Sequence, residues 1–139
     1  MKYLLDTCII SELVVKKPNP KVVTWVDSLD SEDIYLSVLT IGEITKGIEK
    51  LPKSKRKQEL RDWLLQDLLS RFNGKILPLD TDIIVEWGVM MARLENVGRK
   101  MPAIDSLIAA TALSSDCVLA TRNVSDFEAA GIKIINPWE

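Results

Sequence analysis

The fold is decided by the stretch KYLLDTCIISEL, residues 2–13. A short apolar run, residues 3–5, leads straight into Asp6 and Thr7, and a second apolar run with helical spacing follows. The first run is typical of a strand buried on both faces of a parallel sheet. Asp6 would then lie at the carboxyl end of that strand, where open α/β sheets bind ligands. Asp and Thr are also good helix caps, so this stretch alone leaves both interpretations of Asp6 open.

The rest of the chain alternates short apolar runs with amphipathic segments. Further strands are predicted at residues 34–37, 75–79, 117–120 and 132–135, and Pro78 makes the second of these a predicted edge strand. Helices are predicted at residues 8–15, 20–29, 38–51, 54–72, 81–97, 103–114 and 126–129. Strands alternating with helices indicate an α/β fold, a parallel sheet with helices on both faces. We expect one domain, residues 1–139.

Composition places the chain among ordinary globular proteins, with 47% hydrophobic and 27% charged residues. No apolar run approaches the roughly 20 residues of a membrane span, and the start of the chain does not resemble a secretory signal. We therefore expect a cytoplasmic protein that does not contact membranes. Cys8 and Cys117 both lie in apolar surroundings and are expected to be buried thiols.

The chain has no histidine, which excludes Ser-His-Asp and Cys-His catalysis and histidine acid–base chemistry. The net charge of −2 argues against nonspecific nucleic-acid binding. One basic run stands out against this balance. It is either a solvated helix face or a surface that contacts phosphates; its members include Lys53, Lys55, Arg56, Lys57 and Arg61.

Four acids are placed to meet at one edge of the predicted sheet. Asp6, Glu43 and Asp126 follow the predicted strands at 3–5, 34–37 and 117–120, and Asp105 lies in the first turn of a small, apolar helix. Taken singly, each acid is equally explained as a helix cap or an exposed turn residue. Taken together, the four acids supply only oxygen ligands, with no histidine or thiolate, and such a ligand set suits Mg²⁺ or Mn²⁺. Such ions activate water and stabilise the leaving oxygen in phosphodiester cleavage.

The ordered set of motifs resembles the PIN-domain nucleases, most closely the VapC/FitB group of bacterial toxin ribonucleases. The resembling segments are Leu5-Asp6-Thr7, Ile41-Gly42-Glu43, IDSLIAATA at residues 104–112, TRNVSDF at residues 121–127 and Asn136-Pro137-Trp138. The resemblance implies a five-stranded parallel sheet of order 3-2-1-4-5. It also implies a Mg²⁺- or Mn²⁺-dependent ribonuclease, the toxin of a type II toxin–antitoxin pair. The implied partners are a VapB/FitA-like antitoxin that blocks the site with its C-terminal segment, RNA, a second copy of the chain, and promoter DNA reached through the antitoxin.

The same resemblance implies roles for individual residues. Asp6, Glu43 and Asp105 match the acidic triad, with Asp6 and Asp105 expected to bind metal directly. Asp126 matches a fourth acid, although FitB-like proteins can place that ligand at the position of Asn123. Glu43 and Asp126 would orient water or hold a second ion. Thr7, Thr121 and Asn123 are expected to be supporting polar residues.

Two surface hypotheses follow from the resemblance. The basic run would guide RNA or hold an acidic antitoxin, and Arg122 would either neutralise an acid or contact a phosphate. Part of an apolar set on the long helix would form the antitoxin groove or a dimer face, while core packing accounts for most of it. That set comprises Leu60, Trp63, Leu64 and Leu68.

Other classes fit the sequence less well. A haloacid-dehalogenase-type phosphatase needs a second acid two residues after its nucleophile, where this chain has Cys8. A receiver domain needs adjacent acids and a lysine that are absent, and a flavodoxin-like carrier needs a phosphate-binding loop. A PIN-like module that binds an antitoxin or nucleic acid without cleavage remains the alternative.

Overall fold

A five-stranded parallel sheet of order β3-β2-β1-β4-β5 forms the centre of the computed structural model, which describes residues 1–139. The first strand is central and the third is an edge strand, which confirms both predictions. The predicted strand order is also confirmed. The strands are β1 Tyr3–Leu5, β2 Ile34–Ser37, β3 Ile76–Leu77, β4 Val118–Ala120 and β5 Ile134–Ile135.

Helices cover both faces of the sheet. Short 3₁₀ turns occur at Ser31–Asp33 and Glu128–Ala130, and a π-helical segment, Trp63–Leu68, joins α4 to α5. None of the helices has the length and apolar character needed to cross a membrane. The α-helices are α1 Thr7–Val14, α2 Pro20–Ser28, α3 Val38–Glu49, α4 Lys55–Asp62, α5 Leu69–Arg71, α6 Thr81–Asn96, α7 Ala103–Ser114 and α8 Val124–Phe127.

The central strand divides the core in two. Successive side chains of a strand point to opposite faces, so Leu4 packs with residues of α6 and α7 while Leu5 packs with residues of α1, α2 and α3. Both leucines are fully buried. This explains why β1 is apolar throughout: neither of its faces meets water.

Several elements have other boundaries than predicted. β3 and β5 shorten to two residues each, because edge strands pair on one side only. Cys117 lies outside β4, since its N–H donates to the Ala112 carbonyl at the end of α7 instead of to a neighbouring strand. The small helix predicted at 126–129 begins earlier, at Val124, and continues as a 3₁₀ turn.

The long helix predicted from Ser54 to Phe72 is interrupted by the π-helical segment. Within it the Leu69 N–H donates to the Leu64 carbonyl, a span of five residues instead of four. The wider turn accompanies burial of Leu64 and Leu68, as the sequence hypothesis of core packing expected. Helix propensity gives no signal for this irregularity, whose buried residues Leu64 and Leu68 belong to the same core cluster as Leu5 of the central strand.

Two strands run directly into helices at the carboxyl edge of the sheet. Asp6 follows β1 and is the N-cap of α1, and Ser37 ends β2 while its Oγ accepts from the Leu39 N–H at 3.1 Å to cap α3. With no loop between strand and helix, the first turns of α1 and α3 start side by side. This brings residues far apart in sequence to one edge, such as Thr7 and Thr40, which are 33 positions apart.

Candidate active site

Asp6 is buried at this edge, with 6% of its surface exposed. Its Oδ1 accepts from the Thr7 N–H at 2.9 Å, and its Oδ2 accepts from the Thr121 hydroxyl at 2.8 Å. Burial raises the pKa of Asp6, the two hydrogen bonds oppose that rise, and the charge of Glu43 adds to it. Asp6 is therefore a helix cap and also a desolvated carboxylate at the end of β1. The cap interpretation is confirmed, and a ligand-binding role for Asp6 stays a prediction.

The Thr7 hydroxyl joins α1 to α3. It lies 2.6 Å from Glu43 Oε1 and 3.1 Å from Thr40 Oγ1. Thr7 is the donor in both contacts, and its single proton is directed at the nearer acceptor, Glu43 Oε1. This hydroxyl thus holds the carboxylate of Glu43, whose residue is otherwise exposed. Sequence analysis missed Thr40, although its position three residues before Glu43 puts both on one helix face.

Asp105 and Asp126 complete the acidic edge. Asp105 lies half-buried in the first turn of α7, and Asp126 lies exposed in α8. Burial is the largest cause that raises the pKa of Asp105, followed by the charges of Asp6, Asp126 and Glu43. The four acids predicted from separate motifs therefore act on one another electrostatically.

No cationic side chain pairs with any of these acids, because the two ion pairs of the structure join Arg61 to Glu49 and Lys75 to Glu32. No three acidic or cysteine side chains form a closed metal-binding cluster as they stand. The donors at the edge are carboxylate and hydroxyl oxygens, the ligands that Mg²⁺ and Mn²⁺ prefer. The residues thus fit a hard divalent ion chemically, in an open arrangement.

Cys8 lies beside Asp6, a contact that sequence analysis did not anticipate. Its Sγ is 3.8 Å from Asp6 Oδ2 and 3.5 Å from Thr121 Oγ1, and it accepts from the Arg122 N–H at 3.5 Å. Burial raises the pKa of the Cys8 thiol, which keeps it neutral against the carboxylate. Both cysteines are free.

The supporting polar residues differ in their placement. The Thr121 hydroxyl donates to Asp6 and accepts from the Asn123 N–H at 3.0 Å. The Asn123 side chain is exposed and caps nothing. The Arg122 guanidinium lies over the Trp138 ring, 5.5 Å from its centroid, and forms no ion pair with an acid.

Most of the basic run contacts the protein itself. Arg56 Nη2 donates to the Val14 carbonyl at the end of α1. Lys57 Nζ donates to the carbonyls of Glu49 and Leu51 at the end of α3. Arg61 holds the Glu49 carboxylate with two hydrogen bonds of 2.7 Å. Lys53 and Lys55 have no such contacts, so their proposed role at RNA stays a prediction.

An apolar cavity of about 260 Å³ opens beside Glu43, between α1, α3 and α4. Thr7 and Glu43 line its end at the acidic edge, and Leu60 and Trp63 line its other end. Both of these apolar side chains are half-buried, in contrast to Leu64 and Leu68. The apolar set predicted on the long helix therefore serves two surfaces, the core and this cavity.

A family model described as PIN domain matches residues 3–133. This match covers nearly the whole chain, and the sheet order and the acidic edge agree with it. The chain therefore belongs to the PIN-domain family, which confirms the resemblance inferred from the motifs.

Within the family, the chain is similar to toxins over nearly its full length. It is 39% identical to toxin FitB of Neisseria gonorrhoeae over 135 residues, 97% of each chain. It is 38% identical to the VapC ribonuclease Y4jK of Sinorhizobium fredii over 136 residues, 98% of this chain and 97% of the relative. The solved structure of FitAB bound to IR36 DNA superposes with a TM-score of 0.93 at 38% identity, covering 99% of this chain and 96% of that one.

Proposed function

We propose that the protein is a Mg²⁺- or Mn²⁺-dependent endoribonuclease and the toxin of a FitAB/VapBC-like toxin–antitoxin pair. The observation that carries this proposal is the acidic edge: burial and the charges of Asp6, Asp126 and Glu43 raise the pKa of Asp105, and no cation of the chain pairs with these acids. A divalent cation bound there would relieve this repulsion and favour the ionised carboxylates. The names of the similar proteins, a toxin and a ribonuclease, support the same activity.

The chain's own residues have distinct tasks in this reaction. Asp6 and Asp105 would hold the metal ion, since both lie on rigid helix starts and both gain from a neighbouring positive charge. Thr121 keeps Asp6 Oδ2 in place. When bound, the ion polarises the phosphodiester and lowers the pKa of water.

Glu43 and Asp126 are proposed to orient the attacking water and accept its proton. The Thr7 hydroxyl holds Glu43 Oε1, which leaves Oε2 free to accept a hydrogen bond from water. Water adds to phosphorus as it gives a proton to a carboxylate, the bond from phosphorus to the ribose oxygen breaks, and that oxygen takes a proton from solvent water. This hydrolysis changes no oxidation state, so carboxylates, water and a divalent ion suffice for it.

We further propose that an antitoxin segment of the VapB/FitA type covers the apolar cavity beside Glu43. The cavity is continuous with the acidic edge through Thr7, and Leu60 and Trp63 supply apolar contact area for a partner. A peptide lying there would obstruct the approach to Glu43. As in the FitAB structure named above, the pair would bind DNA, here through the antitoxin. We place the RNA-cleaving activity in the cytoplasm and expect the toxin to dimerise.

The test is cleavage of cellular RNA by the purified, antitoxin-free protein with Mn²⁺, with Mg²⁺ and with EDTA, alongside Asp105→Asn. We expect cleavage that needs the metal and disappears in the variant. No cleavage, combined with no rise in melting temperature when Mn²⁺ is added, would favour the binding module that cuts nothing. Activity that survives both EDTA and the substitution would come from a contaminating ribonuclease and would overturn the assignment of the cleavage to this chain.

A further inference from the structure

We propose that an unpaired RNA strand reaches the acidic edge along a groove on α3, with its phosphates on Lys46 and Lys50. This inference rests on the proposed function and names the path of its substrate. The groove has a volume of about 450 Å³, within the range of ligand-binding pockets. It is lined by Val38, Leu39, Gly42, Glu43, Lys46, Gly47, Lys50 and Ile104.

The charges of the groove complement an RNA strand. Lys46 lies on α3 and Lys50 directly follows the helix one turn further along, on the side that also carries Glu43. Both are exposed, and neither ammonium group forms an ion pair or a hydrogen bond within the chain. Because the acidic edge repels a polyanion, cations along the approach are needed to bring phosphates close to it.

The other cations near the site are less available. Arg56, Lys57 and Arg61 donate to protein acceptors. Arg122 lies over the ring of Trp138 on the opposite flank. The apolar cavity beside Glu43 offers no free positive charge, since its one cationic lining residue is Arg56. Among the residues that share a cavity with Glu43, the two lysines of the groove are therefore the free cations.

Two glycines leave the helix surface bare along the same groove. A Cβ added at Gly42 or Gly47 would meet no atom within 4 Å, so packing within the chain does not require glycine at either position. Glycine inside a helix is less favourable than alanine. A strand backbone that approaches the helix closely would account for both glycines.

The opposite end of the groove is apolar. Val38 and Ile104 are exposed to 38% each, and Ile104 directly precedes Asp105. Apolar side chains beside the acids suit the faces of unstacked bases, whereas the lysines suit phosphates. A duplex keeps its bases stacked inside, so this arrangement fits an unpaired strand.

The first test measures binding without cleavage, in the Asp105→Asn protein, with a fluorescent, unstructured RNA oligonucleotide at several salt concentrations. Adding Lys46→Ala and Lys50→Ala should weaken binding at low salt. It should also reduce the slope of log K against log[salt] by about 1.4, two contacts at about 0.7 each for a single strand. The matched control is Lys16→Ala with Lys17→Ala: both are exposed, beyond the far end of α1, and carry the same charge.

The second test separates stability from binding. Gly42→Ala should raise the melting temperature and weaken RNA binding several-fold, because the new methyl group occupies the groove. Gly88→Ala is the matched control: Gly88 lies inside α6, and a Cβ there also meets nothing. It should raise the melting temperature and leave RNA affinity unchanged.

Each result bears on one proposal. If the lysine variant keeps the affinity and salt slope of its control while the wild-type chain cleaves RNA, the groove is wrong and the ribonuclease proposal stands. If the wild-type chain cleaves nothing, the ribonuclease proposal fails, and a reduced slope would still establish the groove as an RNA-binding surface. Unchanged RNA affinity together with lost antitoxin binding would overturn the RNA path and assign the groove to the partner protein.

Discussion

The hydroxyl of Thr7 on α1 lies 2.6 Å from Oε1 of Glu43 on α3, a residue 36 positions away in sequence. Thr40 Oγ1 is a second acceptor of the same hydroxyl at 3.1 Å, and the shorter contact is the one to the carboxylate. It holds one oxygen of Glu43 and leaves the other without a hydrogen-bond partner in the chain. We therefore expect Thr7 to position Glu43, an acid of the candidate site.

Replacing Thr7 should separate this role from simple packing. Thr7→Val keeps the shape but removes the donor, so RNA cleavage should fall about 10- to 100-fold, the range seen when groups supporting a metal site are lost. Thr7→Ser keeps the hydroxyl and should restore most of the activity. Initial rates at fixed Mn²⁺ and the Mn²⁺-induced shift in melting temperature measure the effect. Equal activity of the valine variant and wild type would contradict a positioning role.

The hydrogen bond from Thr121 to Asp6 should stabilise the fold in a pH-dependent way. Thr121→Val leaves Asp6 Oδ2 buried without its hydroxyl donor, at a cost of about 1–3 kcal/mol in the free energy of unfolding. The bond lowers the pKa of Asp6, so it favours the ionised form. The loss should therefore be largest near neutral pH and shrink as the pH falls through the pKa of Asp6. Urea unfolding at several pH values measures it.

Thr111→Val is the control for that experiment. Thr111 is equally buried, but its hydroxyl donates to the Leu107 carbonyl of its own helix and contacts no acid. The decrease in the free energy of unfolding caused by Thr111→Val should not depend on pH between acid and neutral conditions. A pH-independent loss for Thr121→Val as well would mean that Asp6 remains protonated in the folded chain.

Asp105→Asn should stabilise the protein in metal-free buffer. The pKa of Asp105 is raised in the folded chain by burial and by the charges of Asp6, Asp126 and Glu43. The folded state therefore binds the proton more tightly than the unfolded state, and ionisation of Asp105 destabilises the fold as the pH rises above about 3.9, the ordinary aspartate pKa. The variant lacks this penalty, so its gain should be present at neutral pH and vanish below that value.

Melting temperatures across this pH range, with EDTA present, measure the gain. Glu59→Gln, on the exposed surface of α4, controls for the loss of a negative charge elsewhere. Added Mn²⁺ should stabilise wild type more than the variant. A lower melting temperature for Asp105→Asn at neutral pH would show that Asp105 makes a favourable contact that outweighs the repulsion.

The central strand and the acidic edge were predictable because their signals are local. An apolar run followed by Asp6 indicates a buried strand end, and the carboxyl ends of parallel strands meet at one edge. The Thr40–Thr7 contact was not predictable, because it depends on how α1 and α3 lie beside each other. The same holds for Cys8, which meets Thr121 across 113 positions.

The basic run shows where the charge pattern misleads. Sequence alone gives the density of cations but not their acceptors. In the structure Arg56 and Lys57 reach the carboxyl ends of α1 and α3, where unpaired carbonyls and the helix dipole attract cations. Lys46 and Lys50, outside the densest part of the run, remain free.

Lys57→Met should therefore affect stability and not RNA binding. The methionine keeps much of the apolar stem of the side chain but removes the ammonium donors from the carbonyls of Glu49 and Leu51. We expect the free energy of unfolding to fall by roughly 0.3–1 kcal/mol, the usual value of a cation at a helix C-terminus. The salt slope of RNA binding should match that of the parent protein.

The outcome that would contradict this assignment is specific. A single phosphate contact contributes about 0.7 to the salt slope for a single strand. If Lys57→Met lowered the slope by that amount and left urea unfolding unchanged, Lys57 would belong to the RNA-binding surface. The end of α3 would then rely on water to satisfy its last carbonyls, and the RNA path would extend from the α3 groove onto α4.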